Sequence, residues 1–562
     1  MSELFSIYRY YAQSKFWGIC LLIVQELAAI GSTLLFGYLI TLLSCKNISS
    51  YYLWGGISVI ALLDIISLFS QYRFSYCIIK ETASMARKMK EDVINRFMQL
   101  DTEQREREAV GTWERRICMD TQIVAESICP TLGEIAGAVI TFALVCFVMV
   151  KKHPIFLILI VAIAICFLFI FHLNKKRLIL SSQNVRTTNY EEGTTFIDFL
   201  ALTPIMRLFR VTKNLIFRFS VVTRHLEQCS IEAGKRSSIY TTQIRLIMVL
   251  GQIGCLALTV IMFQRGILEV GTIVAYTMLV GQISGQMGQM VFSVPTLTRG
   301  AESARALEKT FGILSNHNIL KTSDSEYLFS EKQRGTMLLS LQNVSFTYRN
   351  GPRILKKLNW KIHTGEYHSI LGNNGEGKST LIRIILGTLR EDEGRICRYF
   401  SRPGYVPQTT AIFQSSFLDN ITLFNHQIKR EQIEEIIRLC RLDHLLNRLG
   451  GLDATISQRN LSGGEIQRIG IARALAINPD LLIVDEITNN LDIFNKSIIF
   501  QMLRELKRNC TIISISHDME IFTDSDYCWI LHKGELKYIP GDTPEQKQHY
   551  AFNIMESNYH AK

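Results

Sequence analysis

The chain has 562 residues, 48% of them hydrophobic and 20% charged, with a net charge of +11 and a mean hydropathy of +0.16. That apolar content excludes a disordered chain, and 35 Gly with only 10 Pro exclude collagen-like and proline-rich classes. The 13 Cys form no closely spaced pairs, which argues against a disulfide framework or a zinc site and suits a reducing compartment.

Six apolar runs predict membrane spans, at 16–43, 51–79, 131–150, 153–173, 239–263 and 270–297. Each is near or above the roughly 20 residues needed to cross a bilayer. The first is too long for a removable signal peptide and lacks a small-residue cleavage site. The gaps at 44–50, 151–152 and 264–269 are short, whereas 80–130 and 174–240 are long and polar. The long gaps carry the basic residues from Lys80 to Arg116 and from Lys175 to Arg236. The short ones hold only Lys46, Lys151, Lys152 and Arg265. The long gaps and both termini are therefore expected on the cytoplasmic side of a cell (inner or plasma) membrane. Their mixed charge predicts helices that continue beyond the bilayer. Basic loops account for the net charge, so no nucleic-acid partner is expected.

Ionisable residues inside spans are costly and mark candidate sites. Glu26, Asp64 and Glu134 lie in the apolar runs. Glu26 and Asp64 either pair with Arg245 or Arg73, hydrogen-bond structurally, or face a cavity for a cationic or amphipathic ligand. In the last run Gln282, Gln286 and Gln289 recur at i, i+4 and i+7, one position from Gly281, Gly285 and Gly288. Such stripes serve close helix packing with amide hydrogen bonds, or a polar wall.

Beyond about 299 the character changes. A polar stretch at 315–335 reads as a linker, and strand-like runs then alternate with helical ones, an α/β pattern. Gly372-Asn373-Asn374-Gly375-Glu376-Gly377-Lys378-Ser379 fits G-x-x-x-x-G-K-[ST] between a strand-like run and a helix opening at Thr380. The loop's glycines let backbone N–H groups approach phosphate oxygens. Lys378 adds a charge at the β/γ-phosphates, and Ser379 offers a hydroxyl to Mg²⁺. A second apolar strand ends in Asp485 and Glu486. Asp485 is placed to hold Mg²⁺, through water, and Glu486 to polarise a water toward the γ-phosphate.

With these motifs the chain resembles an ABC transporter half-unit over essentially its whole length. Leu461-Ser462-Gly463-Gly464-Glu465 matches the family signature, which implies that Ser462, Gly463 and Gly464 complete the ATP site of the opposite subunit in a head-to-tail dimer. Gln408 matches the Q-loop glutamine, a Mg²⁺ ligand and link to the membrane domain. His517 matches the switch histidine at the γ-phosphate, Asp492 the D-loop aspartate, and Tyr348 the aromatic that stacks on adenine. The resemblance implies a membrane α-helical domain of six transmembrane helices (1–314), the linker (315–335), and an α/β P-loop ATP-binding domain with a helical signature subdomain (336–562). It implies ATP- and Mg²⁺-dependent export of a small-molecule, peptide or lipid-like cargo by alternating access, by a homodimer or by a heterodimer with a second half-transporter. A siderophore-type importer on the same fold and a non-transport ATP-dependent membrane regulator are the alternatives. Coupling helices are expected near 101–111 and 196–207. Three features sit nearer to importers and soluble members of the family. These are the short stretch at 394–405, Ser457-Gln458-Arg459-Asn460 before the signature, and Asn489-Asn490-Leu491-Asp492 in the D-loop.

Overall fold

The computed structural model describes residues 2–11, 16–44, 50–100, 104–105, 108, 110–209, 212–313, 336–348, 351–489, 491–516, 524–541, 545–547 and 549–550. The predicted linker 315–335 and His517 lie outside them. The chain divides into two units, one running to residue 320 and one following it.

The first unit is helical: α1 (Ser2–Tyr11), α2 (Phe16–Ser44), α3 (Ser50–Gln99), α4 (Val110–Glu114), a π-helical stretch (Arg115–Asp120), α5 (Thr121–Lys152), α6 (Phe156–Phe209), α7 (Thr212–Gln264) and α8 (Val270–Phe311). Among the described residues, five helices are long and apolar enough to cross a membrane: α2, α3, α5, α6 and α7. The sixth expected span, 270–297, is helical as part of α8 but is not one of the five. The expected fourth span starts at Phe156 rather than His153, because Pro154 cannot donate into a helix and the His153 N–H instead closes α5 on the Met149 carbonyl at 3.0 Å. The long polar gaps are helix extensions. At 50, 54 and 53 residues, α3, α6 and α7 run for about 75–80 Å at 1.5 Å per residue, well beyond a hydrocarbon core of about 30 Å. The stretch 196–207 is part of α6, which continues to Phe209 without a separate coupling helix, and 101–111 falls largely outside the described residues.

Two kinds of contact hold the spans together. One is backbone approach: a Cβ on Gly271 of α8 would lie 1.8 Å from the Gly37 carbonyl oxygen of α2, so only glycine lets these helices touch there. The other is polar. Glu26 of α2, 4% exposed, pairs with neither Arg245 nor Arg73. It accepts the Thr141 hydroxyl of α5 at 2.6 Å and the Gln286 amide of α8 at 3.1 Å. Gln282 donates to Thr33 of α2 at 2.9 Å, and Glu134 accepts from Ser293. The first two glutamines of the stripe therefore belong to interhelical packing, while the Gln289 side chain lies outside those described. Asp64 is exposed on α3, with no ion-pair partner among the described residues.

In the extensions, Asp120 at the π-helical stretch is 2% exposed and accepts from Tyr190 (2.7 Å) and Arg186 (3.2 Å) of α6 and from Ser303 (2.8 Å) of α8.

The second unit centres on a six-stranded sheet, in the order β11 (Glu535–Ile539), β10 (Tyr527–His532), β3 (Tyr367–Leu371), β9 (Thr511–Ile515), β8 (Leu481–Asp485), β5 (Pro403–Val406). All neighbours except β10 and β11 are parallel. β3, β8 and β9 are buried along their whole length, which explains why they are mostly apolar rather than alternating with exposed polar residues. A second, antiparallel sheet joins β1 (Met337–Thr347) to β2 (Arg353–His363) and β4 (Glu393–Arg398). Its inner face packs on β3 and α9 (Lys378–Ile385) around Trp360 and Leu381. Between β5 and β8 lie the short paired strands β6 (Ser415–Ser416) and β7 (Thr455–Ile456) and the helices α10 (Phe417–Thr422), α11 (Arg430–Leu439), α12 (Asp443–Leu449) and α13 (Gly463–Leu475). These helices and α14 (Ile493–Leu506) share a second core around Phe417, Ile433, Ile469 and Ile499. This is the expected α/β domain with a helical signature subdomain.

Asp120→Ala would leave the Arg186 guanidinium without its buried acceptor. We expect a loss of about 3–5 kcal/mol, read as a fall in the thermal unfolding midpoint of the purified chain, and a smaller fall for Asp120→Asn.

Candidate nucleotide-binding site

β3 delivers the chain from the middle of the sheet into the glycine loop, and α9 begins directly after it. The turn closes only with glycine at 377. Its φ is +99°, and a Cβ there would lie 2.5 Å from Ile354 Cγ2. Lys378, 6% exposed, folds its side chain back along the loop and donates to the Gly372 carbonyl at 2.6 Å. The loop N–H groups at the start of α9 form a site for phosphate oxygens.

β8 delivers the acidic pair. Glu486 adopts φ +50°, a conformation that costs a non-glycine residue of order 1–3 kcal/mol, and its N–H is fixed on the Ile515 carbonyl of β9 at 2.9 Å. Its carboxylate is held by three side chains from three segments: Gln408 Nε2 at 3.0 Å, Asn489 Nδ2 at 2.8 Å and Lys378 Nζ at 3.3 Å. Asp485 beside it is 6% exposed and accepts the Tyr405 hydroxyl at 3.3 Å. Burial, reinforced by the charge of Glu486, pushes the Asp485 carboxyl above the usual aspartate range despite that hydroxyl. A buried acid of this kind, beside the Glu486 carboxylate, offers hard oxygen donors that fit a divalent cation.

These groups surround a cavity of about 500 Å³. Of the residues singled out in the sequence, Tyr348, Asn373, Asn374, Gly375, Gly377, Lys378, Ser379, Thr380, Gln408 and Glu486 line it, together with Ile354 and Asn489. The Tyr348 hydroxyl meets Thr380 Oγ1 at 3.1 Å, which fixes the ring. Gly372, Glu376 and Asp485 are not in the lining. The Glu376 carboxylate pairs instead with His532 at 3.0 Å.

Ser462, Gly463, Gly464 and Asp492 do not line this cavity. Ser462 caps α13: its hydroxyl accepts the Glu465 N–H at 3.3 Å while the Glu465 carboxylate accepts the Ser462 N–H at 2.8 Å. Asp492 caps α14 by accepting the Asn495 N–H at 2.8 Å. The two helix starts are packed together, since a Cβ on Gly464 would lie 2.4 Å from Asn495 Oδ1.

Two residues outside the expected set stand out. Asn489 orients Glu486. Its signal was an amide three residues after the carboxylate, where the family pattern has a small residue. Gln467 of α13 donates to the Gln408 carbonyl at 3.0 Å and accepts the Thr410 hydroxyl at 3.1 Å, bolting the Q-loop to the signature helix. Its position one turn into that helix was the available signal.

Residues 15–287 match the family described as the ABC transporter transmembrane region, and residues 355–489 match the family described as ABC transporter. A putative export ATP-binding/permease protein of Rickettsia felis is 24% identical over 560 residues, covering 94% of each chain. A zinc import ATP-binding protein, ZnuC, of Wigglesworthia glossinidia brevipalpis is 32% identical over 234 residues, 40% of this chain and 95% of that protein. Against other curated export relatives, the chain spans about half their length. The structure of a bacterial Atm1-family ABC exporter with ATP bound shares the fold, with a TM-score of 0.82 at 20% identity, covering 96% of this chain and 97% of that one.

Asn489→Ala removes one hydrogen bond to a charged group, commonly worth about 1.5–3 kcal/mol. Nucleotide hydrolysis is expected to fall roughly tenfold or more, with nucleotide affinity little changed, measured by turnover and equilibrium binding. A second expectation concerns acid. Burial works against ionisation of Glu465, but the Ser462 N–H and the Arg448 guanidinium outweigh it and hold its carboxyl below the usual glutamate range. Its ionised form therefore contributes stability that is complete above the unfolded value of about 4.3 and is lost as pH falls through the lower folded one. Glu465→Gln keeps a cap but not the charge, so unfolding midpoints taken from neutral to acid pH should fall less steeply for that variant.

Proposed function

The chain belongs to the ABC transporters, with its membrane-spanning and ATP-binding parts in one polypeptide, and from that premise we propose that it is half of an ATP-driven exporter working by alternating access. The observation that carries this reading is the convergence of Lys378, Gln408 and Asn489 on Glu486 beside the glycine loop. That arrangement holds a base where water meets a γ-phosphate.

In this reading the glycine loop and Lys378 bind the β- and γ-phosphates of ATP, and Tyr348 stacks on adenine. Ser379, Gln408 and Asp485 hold Mg²⁺, which neutralises charge on the phosphates. Glu486 accepts a proton from the attacking water, in an orientation set by Asn489 and Gln408. His517 serves the γ-phosphate. Because Ser462, Gly463, Gly464 and Asp492 lie away from the cavity of their own chain, they serve the site of a second half-unit, identical or related, in a head-to-tail pair. ATP drives the change of access because it binds the closed pair more tightly than the open one. The membrane part covers 1–314 and the ATP-binding part 336–562, with 315–335 between them. The basic loops set both termini and the ATP-binding part on the cytoplasmic side of the cell membrane. Export is favoured over import by the match to an export permease along 94% of each chain. The likeness to ZnuC is confined to 40% of this chain.

The test is ATP hydrolysis by the chain alone in lipid nanodiscs, beside Glu486→Gln. Removing the base should lower turnover by roughly a hundredfold or more while ATP still binds. Turnover that survives the substitution would overturn the assigned role. A silent chain that binds ATP would direct the assay to a co-purifying second half-unit.

A further inference from the structure

The two faces of α8 have opposite characters. Gln282 and Gln286 turn to α2, whereas Gly281, Gly285 and Gly288 border a cavity of about 500 Å³ between α8 and α7. These glycines differ from Gly271 on the same helix. A Cβ built on Gly271 collides with α2, but one built on Gly285 or Gly288 meets nothing within 4 Å, and one on Gly281 meets only Gln252 Nε2 at 3.7 Å. Each glycine within a helix costs about 1 kcal/mol relative to alanine. At 285 and 288 that cost brings no helix contact among the described residues, and its effect is to keep the space clear.

The rest of the lining gives that space a sign. Ile244, Met248 and Val249 are apolar, Gln252 and Ser284 are neutral, and none of the described lining residues is acidic. Arg245 is the lining's charged residue. It lies six residues inside the expected span, about 9 Å along the helix axis, and has no ion-pair partner among the described residues. A guanidinium at such a depth is expensive and marks a functional site, and it matches a carboxylate or phosphate in two-pronged fashion.

We infer that the α7–α8 cavity is a binding site for an amphipathic anion, whose carboxylate or phosphate pairs with Arg245 while its apolar part lies along the exposed Val249 over the glycine face. This rests on the exporter reading above and names the chemical class of its cargo. Glu26 does not set that class, because it is buried in its own hydrogen bonds.

The test uses the full chain in phosphatidylcholine nanodiscs, with octanoate, octylammonium and octanol as probes of matched length. Binding is read as the dose-dependent rise in thermal unfolding midpoint, which needs no ATPase activity and so separates failure here from failure of the transport reading. Octanoate should stabilise the chain at lower concentration than either other probe. Arg245→Gln should weaken that response about tenfold, and Gly285→Leu, which fills the cavity, should abolish it. The same assay with phosphatidylglycerol in the disc identifies the source of the anion. An Arg245-dependent response to that lipid, without one to octanoate, assigns the anion to a lipid headgroup, and an octanoate response assigns it to a soluble molecule. Octylammonium binding as well as octanoate in the unsubstituted chain overturns the proposal, whatever the variants do. So does an octanoate response unchanged in both variants, or a Gly285→Leu chain that loses its dimer yet binds octanoate normally.

Discussion

Two carboxylates sit side by side at the end of a strand buried on both faces, and the ATP-binding unit is organised around aiming the second of them. Lys378 from the glycine loop, Gln408 from the segment after β5 and Asn489 from the turn after β8 each supply a donor. The backbone of Glu486 is held at positive φ by its hydrogen bond to β9. The parallel sheet makes this convergence possible. β3, β8 and β5 run in one direction, so the loops that leave them open at the same edge.

The phosphate loop was legible because its chemistry lies in consecutive residues, and the structure keeps Asn373 through Thr380 largely together at one cavity. The acidic pair was legible for the same reason. The donors to Glu486 were less so, since Asn489 works through a turn whose geometry no spacing rule reports. Gln467 works across two elements far apart in sequence. Span positions followed from hydropathy alone, but the direction each polar span residue faces did not. Glu26 was left to pair with an arginine, to hydrogen-bond structurally or to face a cavity, and the structure takes the second course, with donors from Thr141 and Gln286 on adjacent helices.

Glycine carries two meanings on one helix. Near its start, Gly271 removes a side chain so that a neighbouring backbone can arrive. Two turns and more further on, Gly285 and Gly288 remove side chains where no described atom arrives at all. A sequence shows the same letter in both places, and only the distance to the neighbouring helix tells contact from clearance. The glutamines beside them were the more conspicuous feature of the sequence, yet their amides are spent on α2.

The hydrogen bond from Gln467 to the Gln408 carbonyl makes one rigid piece of two parts with different clients. Gln408 faces the cavity of its own chain, and in the proposed head-to-tail pair α13 would offer its signature to the other. In a cell holding sound and damaged copies, a chain with that joint broken harms the pocket it owns through Gln408 and the pocket it lends to through Ser462. A mixed pair then contains no pocket built wholly from sound parts, so lesions at this joint would be inherited as dominant traits.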